Sequence, residues 1–473
     1  MNTGIAERGW SLPEAASAPS EDYRSALRRR LFAADLAVVL CWASTAGAVA
    51  LYLLSGGVSQ IHSKADAVTA LGIIAGLAGT NLILIMLLLA ARIPWLDRAV
   101  GQDVAIGWHR RLGKPVLYLI LAHAALLTLG YAATDGLDVV GETAAFLSNR
   151  DMILAYLALA LLLAVVVTSL VAVRRKFPYE AWHLIHLLSY AAVLLALPHE
   201  LSYGGVLAAG TVERIYWIAL YLLAYGAAAW YRFAKPLLLS LRHDFRVVSV
   251  ERLAPDVISI HLRGRELGRL GIAGGQYATW RFWSARNWWH SHPLSFSAMP
   301  HGDLLRITVR GAGSGTAGLA GLRRGTRVWF EGPYGLFSRH ARSAPNLALV
   351  GAGIGVTPLR ALLEDSRHSG GETALLVRAS DESQLYLWEE LHTLCEWHGG
   401  TAFADVGPRS RATSSWLSAD AVRRGVSLQS VFPRILHSDL YICGPGPWAE
   451  LVAQEAKALG LEDHQIHLER FDS

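Results

Sequence analysis

The chain has 473 residues, of which 53% are hydrophobic and 17% charged, with a formal net charge of +5. That is too apolar for an ordinary soluble protein of this size, and the length holds two or three domains. A basic balance can mark nucleic-acid binding, but here the basic clusters flank apolar runs, so the expected partner is the lipid bilayer and not nucleic acid.

Residues 1–30 read as a polar cytoplasmic segment containing Pro13 and Pro19, and no signal peptide is expected before the first apolar run. Residues 31–235 hold nearly all the long apolar stretches. A bilayer span needs about 20 apolar residues, and six spans are expected, near 33–54, 68–91, 109–134, 152–173, 181–200 and 212–233. Arg24, Arg28, Arg29 and Arg30 precede the first. Arg92, Arg98, Arg110, Arg111 and Lys114 lie around the second connection, and Arg174, Arg175 and Lys176 in the fourth. Arg232, Lys235, Arg242 and Arg246 follow the sixth. The other loops are poor in Lys and Arg, so both termini and the soluble half are expected in the cytoplasm, on a plasma or cytoplasmic membrane.

Ionisable residues inside a membrane point to function, and neutral imidazole is a common haem-iron ligand. The third span carries His109 and His123. Fourteen helical residues rise about 21 Å and return to within about 40° of one face. The fifth span, "YEAWHLIHLLSYAAVLLALPHE", carries His183, His186 and His199. His186 and His199 fall about 140° out of line on an ideal helix, and Pro198 offers a way to re-aim the second ring. The third and fifth spans run in the same direction. His109 then matches His186 in depth near the cytoplasm, and His123 matches His199 further out. Two bis-histidine b-type haems stacked across the bilayer follow, with helix-packing histidines as the alternative. His183 has no partner in depth and reads as structural. Glu200, directly after His199, reads as a solvated loop carboxylate rather than a site for cationic iron or protons.

Residues 240–340 read as a small antiparallel β-barrel, from the short runs "RVVSVERL", "VISIHLRG", "YATWRFW", "LLRITVR" and "RVWFEG". Within it, "HSHPLSFSAMP" sets Ser295 beside His292 and Pro293, and "GAGSGTAGLAGL" is a Gly-rich turn whose backbone N–H groups could bind a pyrophosphate or form an ordinary loop. Residues 345–473 read as an α/β nucleotide-binding domain. There "NLALVGAGIGVTPLRALLED" runs strand, turn with Gly351, Gly353 and Gly355, then helix, the order of a dinucleotide phosphate site. "ALLVRAS" ends with Arg378, a base suited to a 2′-phosphate, although Asp381 and Glu382 follow. "DLYICGPGPW" is a later strand ending in Cys443, Gly444 and Pro445. Cys41, Cys395 and Cys443 have neither zinc-site nor disulfide spacing.

Together these residues resemble the ferric reductase and NADPH oxidase superfamily, over about residues 33–473. The resemblance implies a six-helix haem domain followed by a ferredoxin-reductase-like FAD and NAD(P)H module. "HPLS" resembles the flavin motif, which implies His292 near the FAD phosphates and Ser295 near the reactive edge of the ring, with Leu294 where many relatives carry an aromatic. "GGQYATW" resembles the strand leading into that site, and Gly315 with Thr316 the pyrophosphate turn. "GAGIGVTP", including Thr357 and Pro358, resembles the pyridine-nucleotide turn, and "CGPGP" the segment beside the nicotinamide. "HLERF" resembles the C-terminal tail, which implies Phe471 covering the flavin, here followed by Asp472 and Ser473. The implied catalytic set is Ser295, Cys443 and Phe471. No calcium-binding loop accompanies the module. The activity implied is electron transfer from NADPH or NADH, through FAD and two b haems, to oxygen or ferric iron outside. A membrane-anchored flavin reductase with a cytoplasmic acceptor, and a non-enzymatic transporter or sensor, are the alternatives.

Overall fold

The computed structural model describes residues 23–174, 176–177, 179–202, 207–285, 287–311, 316, 318–366, 371–409 and 414–471. The chain divides into two compact units, one of Leu31–Lys235 and one of Pro236–Ser473 grouped with the residues up to Arg30.

The first unit is helical: α1 (Tyr23–Tyr52), α2 (Lys64–Ala90), α3 (Gln102–Asp135), α4 (Arg150–Ser169), α5 (Tyr179–Ser202) and α6 (Val212–Ala228). Among the described residues, five helices are long and apolar enough to cross a bilayer, α1 through α5. The expected sixth span is a 17-residue α-helix, α6, that passes into a π-type stretch at Ala229–Ala234. Phe32, Leu54 and Leu222 are 69%, 85% and 69% exposed, an outward apolar shell that lipid tolerates and water does not. Inside, Asn81 of α2 is fully buried. Its amide donates to Tyr216 of α6 (2.7 Å) and Ser44 of α1 (3.0 Å) and accepts from Thr45 (3.0 Å). Such side-chain bonds join helices where the hydrophobic effect cannot.

The start of α2 is fixed by a capping box between Ser63 and Asp66. Its body carries a stripe of small residues. A Cβ on Gly72 would fall 2.9 Å from Leu127, and one on Gly79 would fall 2.7 Å from Ile120, so α2 and α3 pack closely along their length. α3 begins at Gln102, which sets His109 two turns inside a helix rather than at its end.

The second unit opens with α7 (Lys235–His243). The strands that follow are β1 (Arg246–Ala254), β2 (Val257–Arg263), β3 (Tyr277–Phe282), β4 (His292–Ser295), β5 (Leu304–Arg310) and β6 (Val328–Tyr334). They form two three-stranded antiparallel sheets, β1-β2-β5 and β4-β3-β6. Single bridges at Arg246–Arg327 and Phe296–Ile307 join their edges, with further backbone bonds from Val328 to Phe245 (2.9 Å) and from Ser297 to Arg306 (3.0 Å). Phe245, Ile260, Trp280, Phe296 and Phe330 fill the space between the sheets.

Beyond residue 345 the pattern becomes β7 (Asn346–Ala352), α8 (Val356–Asp365), β8 (Thr373–Ala379), α9 (Trp388–Trp397), β9 (Thr401–Val406), β10 (Ser438–Pro445), α10 (Gly446–Ala458) and β11 (Ile466–Phe471). The sheet is parallel in the order β11-β10-β7-β8-β9. The chain moves outward from β7 to β9, then returns to add β10 on β7's other side. That reversal makes the crevice between β7 and β10, at their C-terminal ends, the expected ligand site of such a sheet.

Candidate functional site

In the helical unit, α3 packs along α2 and α5 along α4. The histidines of α3 and α5 face each other in two tiers. The ring centres of His109 and His186 are 5.9 Å apart, and those of His123 and His199 are 6.3 Å apart. Two metal–nitrogen bonds of about 2 Å, plus about 1.1 Å from each nitrogen to its ring centre, put the rings of a bis-histidine iron site about 6 Å apart. Both tiers have that spacing, although ideal-helix arithmetic sets His199 out of line with His186. Pro198, inside α5, immediately precedes the ring that meets His123.

The ring orientations are held from behind. The Nδ1 of His109 lies 3.1 Å from the Met86 carbonyl, and that of His123 lies 2.9 Å from the Gly72 carbonyl. Carbonyls only accept, so each Nδ1 carries the hydrogen and each Nε2 keeps its lone pair for a metal. The acceptors are fourteen residues apart on α2, as their histidines are on α3, so one antiparallel register satisfies both. His186 Nδ1 meets Ser169 Oγ at 3.3 Å, and the Trp182 ring stacks on His186 at 5.1 Å. His199 Nδ1 is buried and makes no hydrogen bond of standard geometry among the described residues. Gly76 supplies the clearance at the outer tier, since a Cβ there would lie 2.3 Å from His123 Nδ1.

A cavity of about 1420 Å³, its open side included, adjoins the outer tier, with Gly76, Thr80, His123, His199, Glu200 and Tyr221 in its lining. Ligating nitrogens, ring spacing and an apolar cavity fit a haem here. Glu200 is not a solvated loop carboxylate. It belongs to α5, where both its oxygens lie 3.1 Å from the donating Tyr221 hydroxyl and Thr80 donates at 3.5 Å. The residue count that puts His199 in the cavity wall puts its neighbour there too.

In the second unit, β3 and β4 bring "GGQYATW" and "HPLS" side by side, pairing Tyr277 with Ser295, Ala278 with Leu294, Thr279 with Pro293 and Trp280 with His292. Trp280 Nε1 donates to the Leu294 carbonyl at 3.2 Å, and Ser295 is buried. His292 is also buried, with Nε2 unpartnered. Burial, then the neighbouring His290, push its imidazole down to about 4, so at neutral pH it is an uncharged hydrogen-bonding group and not a cation for phosphate. Gly315 lies outside the described residues. Thr316 is described, just ahead of the helical turn Gly318–Gly321.

The "GAGIGVTP" turn sits in the β7/β10 crevice. Gly353 has φ +55°, and a Cβ on Gly355 would fall 2.2 Å from the Cys443 carbonyl oxygen. Gly351 pairs with Cys443 in the sheet, and Pro445 with Phe471. Three separated segments, "GAGIGVTP", "CGPGP" and the aromatic of "HLERF", therefore meet at one end of the sheet. Ser295 belongs to the flavin-motif sheet and is held there by Tyr277. Thr357 donates to the Ile354 carbonyl at 3.0 Å, and Pro358 is buried in the first turn of α8. A Cβ on Gly444 would strike the Trp448 ring at 2.7 Å. The Cys443 thiol is fully buried, and burial, with the charge of Glu469, raises it far above the ordinary range, so it is no thiolate nucleophile.

Arg378 is not a surface cation at the strand tip. It is 5% exposed, and its guanidinium bonds to the carbonyls of Ala379, Asp405 (3.2 Å) and Gly407 (2.5 Å) beside the Asp405 carboxylate at 3.4 Å. The side chain of a strand-end residue can turn back under the sheet, and β9 supplies the acceptors that draw this one inward. Asp381 instead caps the short turn Glu382–Gln384.

Residues 75–197 match the family model described as ferric reductase like transmembrane component. The match takes in His109, His123 and His186 and ends two residues before His199. The chain is 31% identical over 186 residues to ferredoxin–NADP reductase B of Sorangium cellulosum, covering 37% of this chain and 73% of that protein. It is 27% identical over 233 residues to the toluate 1,2-dioxygenase electron transfer component of Pseudomonas putida, covering 48% of this chain and 66% of that one. The chain thus spans just under two thirds of the length of the Pseudomonas relative. Among solved structures, a ferredoxin NADP+ reductase from Neisseria gonorrhoeae with bound FAD and NADP aligns at 15% identity and TM-score 0.41, over 48% of this chain and 97% of that one.

Proposed function

The chain belongs to the ferric reductase and NADPH oxidase superfamily and is an NAD(P)H-dependent oxidoreductase; from that premise we propose that it moves electrons across a membrane, from cytoplasmic NAD(P)H to an acceptor on the outer side. The observation that carries this reading is the pair of facing imidazoles in each of two tiers, at 5.9 and 6.3 Å, on the same two helices.

His109 and His186 would hold an inner b haem, and His123 and His199 an outer one. Met86 and Gly72 set the tautomers on α3. When bound, FAD takes a hydride and releases electrons singly, and b haems relay single electrons. His292, Pro293, Leu294 and Ser295, with Gly315 and Thr316, would seat the flavin. Neutral His292 offers its phosphates a hydrogen bond without a charge. Gly351, Gly353, Gly355, Thr357 and Pro358 would seat the nucleotide pyrophosphate at the start of α8, where backbone N–H groups and glycine clearance favour an anion. Cys443, Gly444 and Pro445 would lie beside the nicotinamide, with Cys443 acting as packing. Phe471, on the strand next to Pro445, would cover the flavin ring. With Arg378 turned inward, either NADPH or NADH serves as donor. The outer acceptor is dioxygen, giving superoxide, or ferric iron.

The test is an anaerobic absorbance difference spectrum of the purified chain with FAD, before and after nucleotide. Sharp b-type bands on addition of NADPH or NADH support the full path. Haem reducible by dithionite but by neither nucleotide breaks the path at the flavin. Well-folded protein without haem leaves an anchored flavin reductase with structural histidines.

A further inference from the structure

α8 does more than begin at the nucleotide turn. Its first turn follows Gly355, and ten residues later it ends in Glu364 and Asp365. Both carboxylates reach from the helix to backbone that flanks the flavin-motif strands, just after β4 and just before β3. Glu364 accepts the backbone N–H of Met299 at 2.7 Å, four residues after Ser295. Asp365 accepts the N–H of Gly274 at 2.9 Å, three residues before Tyr277, the strand partner of Ser295. The seat at Gly274 is tight, since a Cβ there would lie 2.1 Å from the Ala361 carbonyl oxygen. Arg339 pairs with Asp365 at 3.1 Å.

A second tie runs beside the first. Arg360, one turn before Glu364, bonds to it and donates to Glu390 of α9 at 2.8 Å. Glu390 takes both terminal nitrogens of Arg306 on β5 at 2.8 Å, and Arg306 also donates to the Ser297 carbonyl at 3.1 Å. Arg360 and Glu364 are 2% exposed. Charge-assisted bonds with this little water around them are stronger than neutral ones and geometrically demanding.

We propose that α8 is a strut that sets the distance between the two half-sites, with Asp365 and Glu364 as its positioning residues. One end of a single rigid helix defines where the nucleotide pyrophosphate sits. The other end bonds to the backbone flanking the flavin-motif strand β4 and its partner β3. Hydride transfer is steep in distance, and a misplacement of about 1 Å can cost on the order of 100-fold in rate. The inference rests on the reading above that these segments bind nucleotide and flavin.

Asp365→Ala removes the acceptor for Gly274, while Asp365→Asn keeps a side-chain oxygen for that N–H. Both are made in the full chain. Flavin content per chain, the KM for NAD(P)H and the anaerobic stopped-flow rate of flavin reduction are measured, together with the long-wavelength charge-transfer absorbance of the nicotinamide–flavin pair. The expected result for Asp365→Ala is unchanged flavin content, KM within about twofold, reduction slowed at least tenfold and a weakened charge-transfer band. Asp365→Asn should restore most of the rate. Wild-type reduction with an unaltered rate per bound flavin in Asp365→Ala overturns the strut and leaves the functional reading standing. So does a loss confined to flavin content, which marks a merely structural bond. A wild-type flavin reduced by neither nucleotide overturns the functional reading and the strut with it.

Discussion

Gly76 lies so close to the His123 ring that a Cβ would fall 2.3 Å from Nδ1. α2 and α3 are packed along their lengths, so the ring must move, and its bond to the Gly72 carbonyl at 2.9 Å goes with it. Gly76→Ala should therefore cost the outer tier and spare the inner one, whose hydrogen-bond acceptor, the Met86 carbonyl, is elsewhere on α2. Haem content by pyridine haemochrome should fall by about half, with one b-type spectrum remaining. Full haem content with unchanged spectra would refute the clearance argument.

The two tiers make opposite predictions for electron entry. His199→Ala should lose the outer haem and keep one that NADPH still reduces. His186→Ala should keep a haem that dithionite reduces and NADPH does not. Reversed phenotypes would mean that electrons enter at the other tier. The assay is the same anaerobic difference spectrum, read on each variant.

At the nucleotide turn, a methyl on Gly355 meets backbone rather than a pliable side chain, 2.2 Å from the Cys443 carbonyl oxygen. Gly355→Ala must widen the β7/β10 crevice. We expect the KM for NAD(P)H to rise about tenfold or more, with haem content and the dithionite-reduced spectrum unchanged. An unaltered KM would remove this turn from the nucleotide site.

His292 titrates at about 4 when folded, below the ordinary value of 6.5, because burial and then His290 disfavour its charge. The unfolded chain therefore takes up the proton first as pH falls. Stability from this group is intact above pH 6.5 and is lost progressively down to about pH 4, on the order of 3 kcal/mol in all. Amide hydrogen exchange across the β3–β4 ladder during a denaturant titration reports unfolding of the same sheet. The unfolding midpoint should drop as pH falls from 7 to 4, and His292→Gln should flatten much of that slope. A slope that His292→Gln leaves untouched assigns it to other groups.

The parts of this fold that a periodic pattern encodes were legible before any coordinates. The span expected at 68–91 is α2 at Lys64–Ala90, and "LLRITVR" is β5 residue for residue. The alignment of His109 with His123 on one face was also readable, because fourteen residues is close to a whole number of helical turns, whereas the same arithmetic set His199 out of line with His186. Edges were harder. Within the described residues the first helix already runs from Tyr23, ahead of the apolar span expected from 33, because an Arg-rich segment is a good helix former however polar it is. Side-chain direction at element ends was not readable at all. Arg378 and Glu200 are both ionisable residues at an apparent boundary, and both turn inward to partners on other elements. The stripe Gly72, Gly76 and Gly79 was present in the sequence as "GIIAGLAG", a close-packing signal visible to anyone weighing small residues rather than apolar ones. The ties from Glu364 to Met299 and from Asp365 to Gly274 left no local trace, since they join residues 65 and 91 positions apart.

The paired bonds His109 to Met86 and His123 to Gly72 lock α2 to α3 at two points of equal separation. A single inserted or deleted residue between the two histidines would turn one ring by about 100° and slide it about 1.5 Å relative to the other. The same change between Gly72 and Met86 would break the match from the opposite side. Length variation in either interval is therefore tolerated only when the other interval changes by the same count. The two helices must lengthen or shorten together, while the loop that joins them is free to drift.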